Sequence, residues 1–271
     1  MSTMSGSEEA PVLVRFDERG AHGRVAYVSV NNPARLNSLN SGVMRAVIDA
    51  VEALQHDPDL RVVVVTGAGN RAFMGGADIV ELSQLDPAKA TAFITLVHRI
   101  SRALRALPVP VIARVNGWCL GAGLEVMAAC DMRVAANNAV FGMPEVKIGL
   151  PSVVEAALLP QLIGWGRTRV LLFTGENIDA TTAAEWGLVE RIVPPIELDA
   201  AVEEWVAAIV ESGPRAIREQ KALMRRWESM GINDAIQEGV GAIARAYETD
   251  EPRRMIGAAI ERMQARKRGG G

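Results

Sequence analysis

What this chain lacks narrows its chemistry first. Among 271 residues there are two cysteines and three histidines, too few for a disulfide scaffold or a thiolate-rich metal centre. Cys119 and Cys130 lie in an apolar stretch with no cluster of ligands around them, and are expected to be buried free thiols. His22, His56 and His98 are isolated in sequence and are expected on the surface or in loops. Aromatic residues make up 4% against 49% hydrophobic in all, so the core must be aliphatic, as fits an α/β protein. No basic excess exists: 29 Lys and Arg against 32 Asp and Glu leave a net charge of −3, which argues against a nucleic-acid partner. No apolar run is long enough to span a membrane, and the N-terminal M-S-T-M-S-G-S-E-E-A lacks the apolar segment of a secretory signal. A cytoplasmic protein with no membrane partner is the expectation.

What is present alternates between strand and helix signals. Val12–Phe16 and Val25–Val30 alternate apolar with polar around a Gly-rich turn and predict a hairpin. Ser41 is expected to cap a helix running to about Gln55, with Val43, Val47, Ala50, Val51 and Leu54 at helical spacing. Arg61–Thr66 and Val111–Val115 are β-branched runs of the kind buried on both faces. The first ends in Gly67-Ala-Gly69-Asn-Arg-Ala72, which formally matches a dinucleotide fingerprint. Gly75 and Gly76 then fall where that fingerprint needs a continuous helix, so a Gly-rich turn is expected instead. Asp78 is placed to cap the turn that follows, and Pro87–Leu107 reads as a long amphipathic helix. Val153–Ile163 and Arg167–Thr174 look helical, and Leu188–Val193 looks like a last strand. After Pro194 the pattern becomes all-helical, at about 199–211, 214–228, 232–248 and 252–266. The Arg-Lys-Arg-Gly-Gly-Gly tail is expected to be disordered.

The chemistry concentrates between Val115 and Pro151. A turn of small residues, Gly121-Ala122-Gly123, opens a helix that carries Glu125, and Glu145 follows Pro144 twenty residues later. Two carboxyls in apolar surroundings, beside a backbone left bare by small residues, suggest acid/base work next to a developing oxyanion.

Several of these segments occur together in one family. Asn32-Pro-Ala-Arg-Leu-Asn-Ser-Leu-Asn40, Val63-Val-Val-Thr-Gly-Ala-Gly69, Phe73-Met-Gly-Gly-Ala-Asp-Ile79 and Pro110-Val-Ile-Ala-Arg-Val-Asn-Gly117 come first, in order. Gly121-Ala-Gly-Leu-Glu125, Cys130-Asp131 and Phe141-Gly-Met-Pro-Glu-Val146 complete the set. From about residue 12 to 260 the chain resembles the crotonase superfamily, the enoyl-CoA hydratase/isomerase family. The resemblance implies an α/β crotonase-type spiral of repeated β-β-α units over residues 1–195 and a C-terminal helical trimerisation region over 196–271. It also implies an acyl-CoA thioester substrate, a homotrimer or dimer of trimers, and no metal or redox cofactor, CoA entering only with the substrate.

Carried over position by position, the resemblance makes the backbone N–H groups of Ala77 and Ala122 the oxyanion hole. Glu125 becomes the base that deprotonates water for attack at C3, and Glu145, held protonated by burial, the donor of a proton to C2. The CoA moiety is expected along Ala34, Arg35 and Leu36 and along Ala77, Asp78, Ile79 and Val80, with Gly76 and Gly121 also among the substrate-binding residues. Arg35 is read equally as a phosphate partner or a solvated side chain, and Lys221 as a solvated residue rather than a phosphate contact. One departure stands out. After Gly149 this chain has Leu150-Pro-Ser-Val-Val-Glu-Ala-Ala157, where many hydratases carry a Gly-rich turn whose N–H helps to hold the catalytic water. Ser152 is the expected replacement, and Glu155 is left as either a helix-start charge or a substrate contact. Hydration of a 2-enoyl-CoA is the leading expectation, with Δ3-Δ2 isomerisation or another acyl-CoA reaction second and non-catalytic acyl-CoA binding third.

Overall fold

The computed structural model describes residues 4–5 and 10–269. The chain divides into two compact units, Met1–Ala207 and Ala208–Gly271. In the first, β1 (Met4–Ser5) pairs antiparallel with β2 (Val12–Glu18), and β2 forms the expected hairpin with β3 (Arg24–Val30). Then comes α1 (Ser41–Leu54), whose cap is Asn40, one residue before the expected Ser41. The Asn40 side chain accepts the Val43 N–H and satisfies a donor that the first turn leaves over. Ser41 instead donates its own N–H and hydroxyl to Glu81.

Three turns of one kind follow. The first is β4 (Leu60–Gly67), β5 (Ala72–Met74), the short α2 (Ile79–Leu82) and α3 (Pro87–Ala106). The second is β6 (Val111–Val115), β7 (Trp118–Leu120) and α4 (Ala122–Ala128). The third is β8 (Met132–Ala136), β9 (Val140–Gly142) and, after two 3-10 turns, α5 (Leu159–Thr174). β10 (Asn177–Asp179), α6 (Ala180–Trp186), β11 (Arg191–Val193) and α7 (Leu198–Glu211) complete this part, and α7 carries the chain into the second unit.

Each turn sends one strand to each of two sheets. The seven-stranded sheet runs β1-β2-β3-β4-β6-β8-β11, and the four-stranded sheet runs β10-β9-β7-β5. From β3 through β4, β6, β8 to β11 the pairing is parallel, with Val63 opposite Val111 and Ile112 opposite Met132. Such strands lie between layers, which is why β4 and β6 read as unbroken Val and Ile rather than as alternation. The result is the spiral of β-β-α units that the motifs implied. Asn37 and Asn116 fix its Gly67–Ala72 corner: the Asn37 amide donates to Ala68 and Ala72 carbonyls and the Asn116 amide to those of Gly67 and Gly69. That corner is a turn into β5, so a dinucleotide helix does not form there.

Three expectations need correction. Residues 154–158 form a 3-10 turn, and 159–174 are one helix interrupted at Gly164 (φ 77, ψ 158), rather than two separate helices. Of the last expected strand only Arg191–Val193 pairs, because Leu188 and Val189 pack into the core before the chain reaches β8. In the second unit α8 (Pro214–Trp227), α9 (Ile232–Ala246) and α10 (Glu251–Gly269) match the helices read from sequence. α10 takes in Arg266 to Gly269, which the sequence reading left disordered, while Gly270 and Gly271 lie outside the described residues. Cys119 and Cys130 are buried free thiols, as expected. Among the described residues no helix is long and apolar enough to cross a membrane.

Candidate active site

The site is built where the second and third turns of the spiral face the first. Ala77 follows β5 in a bridge with Leu39. That bridge uses the Gly76 carbonyl, which accepts the Leu39 N–H, and the Asp78 N–H, which donates to the Leu39 carbonyl. It therefore does not consume the Ala77 N–H. Asp78 caps α2 by accepting the Glu81 N–H, as its position suggested. Ala122 is the first residue of α4, and an N–H there has no partner within the helix.

Every residue of α4 is buried, Glu125 included at 3% exposure. A carboxyl so placed loses hydration that its charged form needs. Burial pushes Glu125 up to about 8; the Ala156 N–H pulls the other way, and the nearby Glu145 and Glu155 add to the rise. That N–H donates to Glu125 Oε1 at 3.1 Å.

Glu145 sits in the 3-10 turn Pro144–Ile148 and is half-buried. The sequence reading had burial keep a proton on Glu145; the buried acid is Glu125. Ser152 Oγ donates to Glu145 Oε2 at 2.7 Å. Gly121 lies against the other oxygen: a Cβ there would come within 2.4 Å of Glu145 Oε1, and the backbone takes φ +49. The positive φ favours glycine, because a side chain there is strained, and a Cβ would push the Glu145 carboxyl aside.

Two residues gain a partner that the sequence reading did not give them. His98 is exposed, as expected, but on α3 and not alone: its Nδ1 lies 2.8 Å from Glu155 Oε1. Glu155 does stand in the first turn of the 154–158 3-10 helix, one of its two readings, but it is buried and faces His98 of α3; it does not line the cavity on which Glu125 opens. Both were unreadable because they lie 57 positions apart and meet only when α3 packs on that turn.

Ala77, Ala122, Glu125, Glu145 and Ser152 all open on one cavity of about 520 Å3. Its remaining wall is mostly apolar and comes from α2, α3 and the 150–153 loop, including Leu82, Phe93, Ile94, Val97, Leu150 and Val153. The sequence reading missed this wall, whose signal was the apolar face of the amphipathic α3. Ala34, Arg35, Leu36, Gly76, Asp78, Ile79, Val80 and Gly121 do not line it. The Leu36 carbonyl accepts the Gly75 N–H, Arg35 reaches Asp78 at 3.3 Å, and Ile79 and Val80 are exposed. In the second unit Lys221 is buried in α8, which corrects the expectation of a solvated face. Among the described residues no group of three or more His, Cys, Asp or Glu is arranged to hold a metal ion.

Comparison with known proteins agrees with this architecture. The family model of enoyl-CoA hydratase/isomerase matches residues 20–265. A short-chain-enoyl-CoA hydratase of Clostridium acetobutylicum is 35% identical over 89% of this chain and 92% of its own length. A crotonyl-CoA hydratase of Syntrophomonas wolfei is 34% identical over 89% of this chain and 94% of its own. The crystal structure of an enoyl-CoA hydratase from Mycobacterium smegmatis superposes with a TM-score of 0.89 at 29% identity, covering 94% of this chain and 97% of that one. With the spiral, the paired acids and the small-residue turns in the places that its motifs require, the chain belongs to the enoyl-CoA hydratase/isomerase family.

Proposed function

We propose that this protein hydrates the 2,3 double bond of a 2-enoyl-CoA thioester. The observation that carries the reading is the convergence of two carboxyls and two small-residue backbone turns on one largely apolar cavity. Water adds at C3 and pushes an electron pair through C2 onto the thioester oxygen. The N–H groups of Ala77 and Ala122 receive that oxygen; removing one such donor typically costs ~3 kcal/mol. Ala122 adds the favourable end of a helix dipole. Glu125 takes a proton from the water as it attacks, and Glu145 gives one to C2 as the enolate collapses.

The two acids thus need one proton between them, and they act as a coupled pair. Burial keeps a proton on Glu125 up to about pH 8. That placement is the one from which the reverse reaction starts, with Glu125 protonating the departing hydroxyl. For hydration the proton first moves to Glu145. Above about pH 8 the proton is lost and both directions slow.

Binding of CoA along the 34–36 loop and the 76–80 segment belongs to the same reading. Arg35, tied to Asp78 yet mostly exposed, is free to turn toward a phosphate. The reaction draws on no metal or redox group. A homotrimer or dimer of trimers fits α9, where Ile232, Ile236, Val240 and Ile243 form an exposed apolar stripe, and the helical part is taken to begin at residue 196. Buried free thiols fit a reducing, cytoplasmic setting.

Turnover of crotonyl-CoA and longer 2-enoyl-CoA thioesters, followed by loss of enoyl absorbance, tests the proposal. Saturable binding of CoA thioesters with no turnover of any of them would sink it and leave a binding protein.

A further inference from the structure

Both acids are hydrogen-bonded to one short segment, and that segment is strained. Within residues 151–156, Ser152 Oγ holds Glu145 at 2.7 Å and the Ala156 N–H holds Glu125 at 3.1 Å. Between them Val154 stands at φ +39, a backbone conformation that costs a β-branched residue free energy and persists only where the surroundings impose it. The next residue, Glu155, is buried, with Oε1 on His98 of α3 and Oε2 lacking a hydrogen-bond partner among the described residues. A buried, half-satisfied carboxylate is costly to keep. It sits one residue from the N–H on Glu125 and three from the hydroxyl on Glu145.

Resting on the hydratase reading above, we propose that Glu155, anchored by His98, is a positioning residue: it pins the strained 151–156 turn so that one segment holds both reacting carboxyls in register. The pin joins α3, whose Phe93, Ile94 and Val97 wall the cavity, to the turn whose Ser152 and Val153 line it as well. Strain at Val154 makes the anchor necessary, because a released turn relaxes toward ordinary backbone angles and withdraws its N–H and hydroxyl together. Misplacement of a reacting group by about 1 Å is enough to slow a reaction markedly while substrate binding is kept.

Glu155 also acts on Glu125 through its charge. The elements packed against α4 are the 154–158 turn, α3, β7 and β5. The charged groups that act on Glu125 are Glu145, from the 144–148 turn, and Glu155; the same elements also carry His98, which faces Glu155, the half-buried Arg105 of α3, and the buried thiol of Cys119. β5 brings no titratable side chain, and Lys89, Arg99 and Arg102 of α3 are exposed. Loss of the Glu155 charge removes one cause of the rise at Glu125, so the alkaline limb of the pH profile moves to lower pH.

The test uses the full chain with Glu155→Gln, His98→Gln and the double variant. His98 is half-exposed, so its variant folds even if the buried one does not. Crotonyl-CoA hydration is followed against pH, and amide hydrogen exchange is read over residues 151–158. We expect kcat to fall about tenfold with KM held within about twofold in each single variant, and no further fall in the double. Exchange in 151–158 rises in each variant, and the alkaline limb moves down in Glu155→Gln. Unchanged kcat in both single variants, or unchanged exchange in that segment, overturns the proposal. A uniform rise in exchange along the whole chain, with KM and kcat both lost, also overturns it in favour of a structural role. If the wild-type chain hydrates no enoyl-CoA, the hydratase reading fails separately, and the exchange measurement still decides whether the pair pins the turn.

Discussion

Ser152 Oγ donates to Glu145 Oε2 at 2.7 Å, and so ties an acid from one 3-10 turn to the loop that precedes the next. A hydroxyl bonded to a carboxyl group fixes which way its oxygens point. Ser152→Ala is expected to lower kcat for enoyl-CoA hydration by about 10- to 150-fold and to leave KM nearly unchanged, since a hydrogen bond to a charged group contributes ~1.5–3 kcal/mol. Steady-state kinetics with crotonyl-CoA check this, and a kcat within twofold of the parent would remove Ser152 from the machinery.

Gly121 tests the same carboxyl from its other side. A methyl group there meets Glu145 Oε1 at 2.4 Å, and the residue stands at φ +49. Gly121→Ala is expected to lose ~1 kcal/mol of stability from the backbone alone, together with a larger fall in kcat as Glu145 is displaced. Thermal unfolding and turnover, measured on one preparation, separate the two effects. If kcat falls only as far as the folded fraction does, the close approach to Glu145 has no catalytic meaning.

The motifs made much of this legible. Glu125 and Glu145 stood out as lone acids among apolar residues, and the small residues at 75–77 and 121–123 marked where backbone would be left bare. The partners of those acids were not legible. The donor on Glu125 is the N–H of Ala156, a group that every residue but proline carries, so no side chain announces it. The strained angle at Val154 has no residue signature either, since valine is the last type expected there. Burial was assigned to the wrong acid for a related reason. Proline and apolar neighbours around Glu145 suggest an interior position, yet its 3-10 turn runs along the cavity rim, whereas α4 is enclosed on all sides. His98 and Glu155 find each other only through the packing of α3, whose rotation about its axis the sequence does not state.

Substitution of the acids one at a time separates hydration from its nearest competitor. Glu125→Gln removes the base on water and is expected to cut hydration by about 10^2–10^4-fold. A proton shift between C2 and C4 of a 3-enoyl-CoA needs only one acid, so Glu145 alone sustains it. Parallel assays with 2-enoyl and 3-enoyl thioesters read the difference. Isomerisation that survives in Glu125→Gln, with wild-type hydration absent, would make the protein an isomerase.

Glu125 also ties stability to pH, independently of any substrate. Its carboxyl titrates at about 8 in the folded chain against 4.5 for an unperturbed glutamic acid. Between those values the folded protein holds one proton more than the unfolded chain, so stability falls as pH rises, and the fall is complete once pH passes 8. The contribution is fully present below the unfolded value and amounts to a few kcal/mol, on the order of 1.4 kcal/mol for each pH unit crossed. Glutamine at the same site carries no proton to lose and fits the same space. Glu125→Gln is therefore expected to gain on the wild type as pH rises, with the difference in Tm widening between about pH 5 and pH 9. Calorimetry across that range tests the sign directly. Curves that stay parallel would mean that Glu125 ionises in the folded chain as readily as in the unfolded one, and would remove burial of this acid as the reason for its basicity.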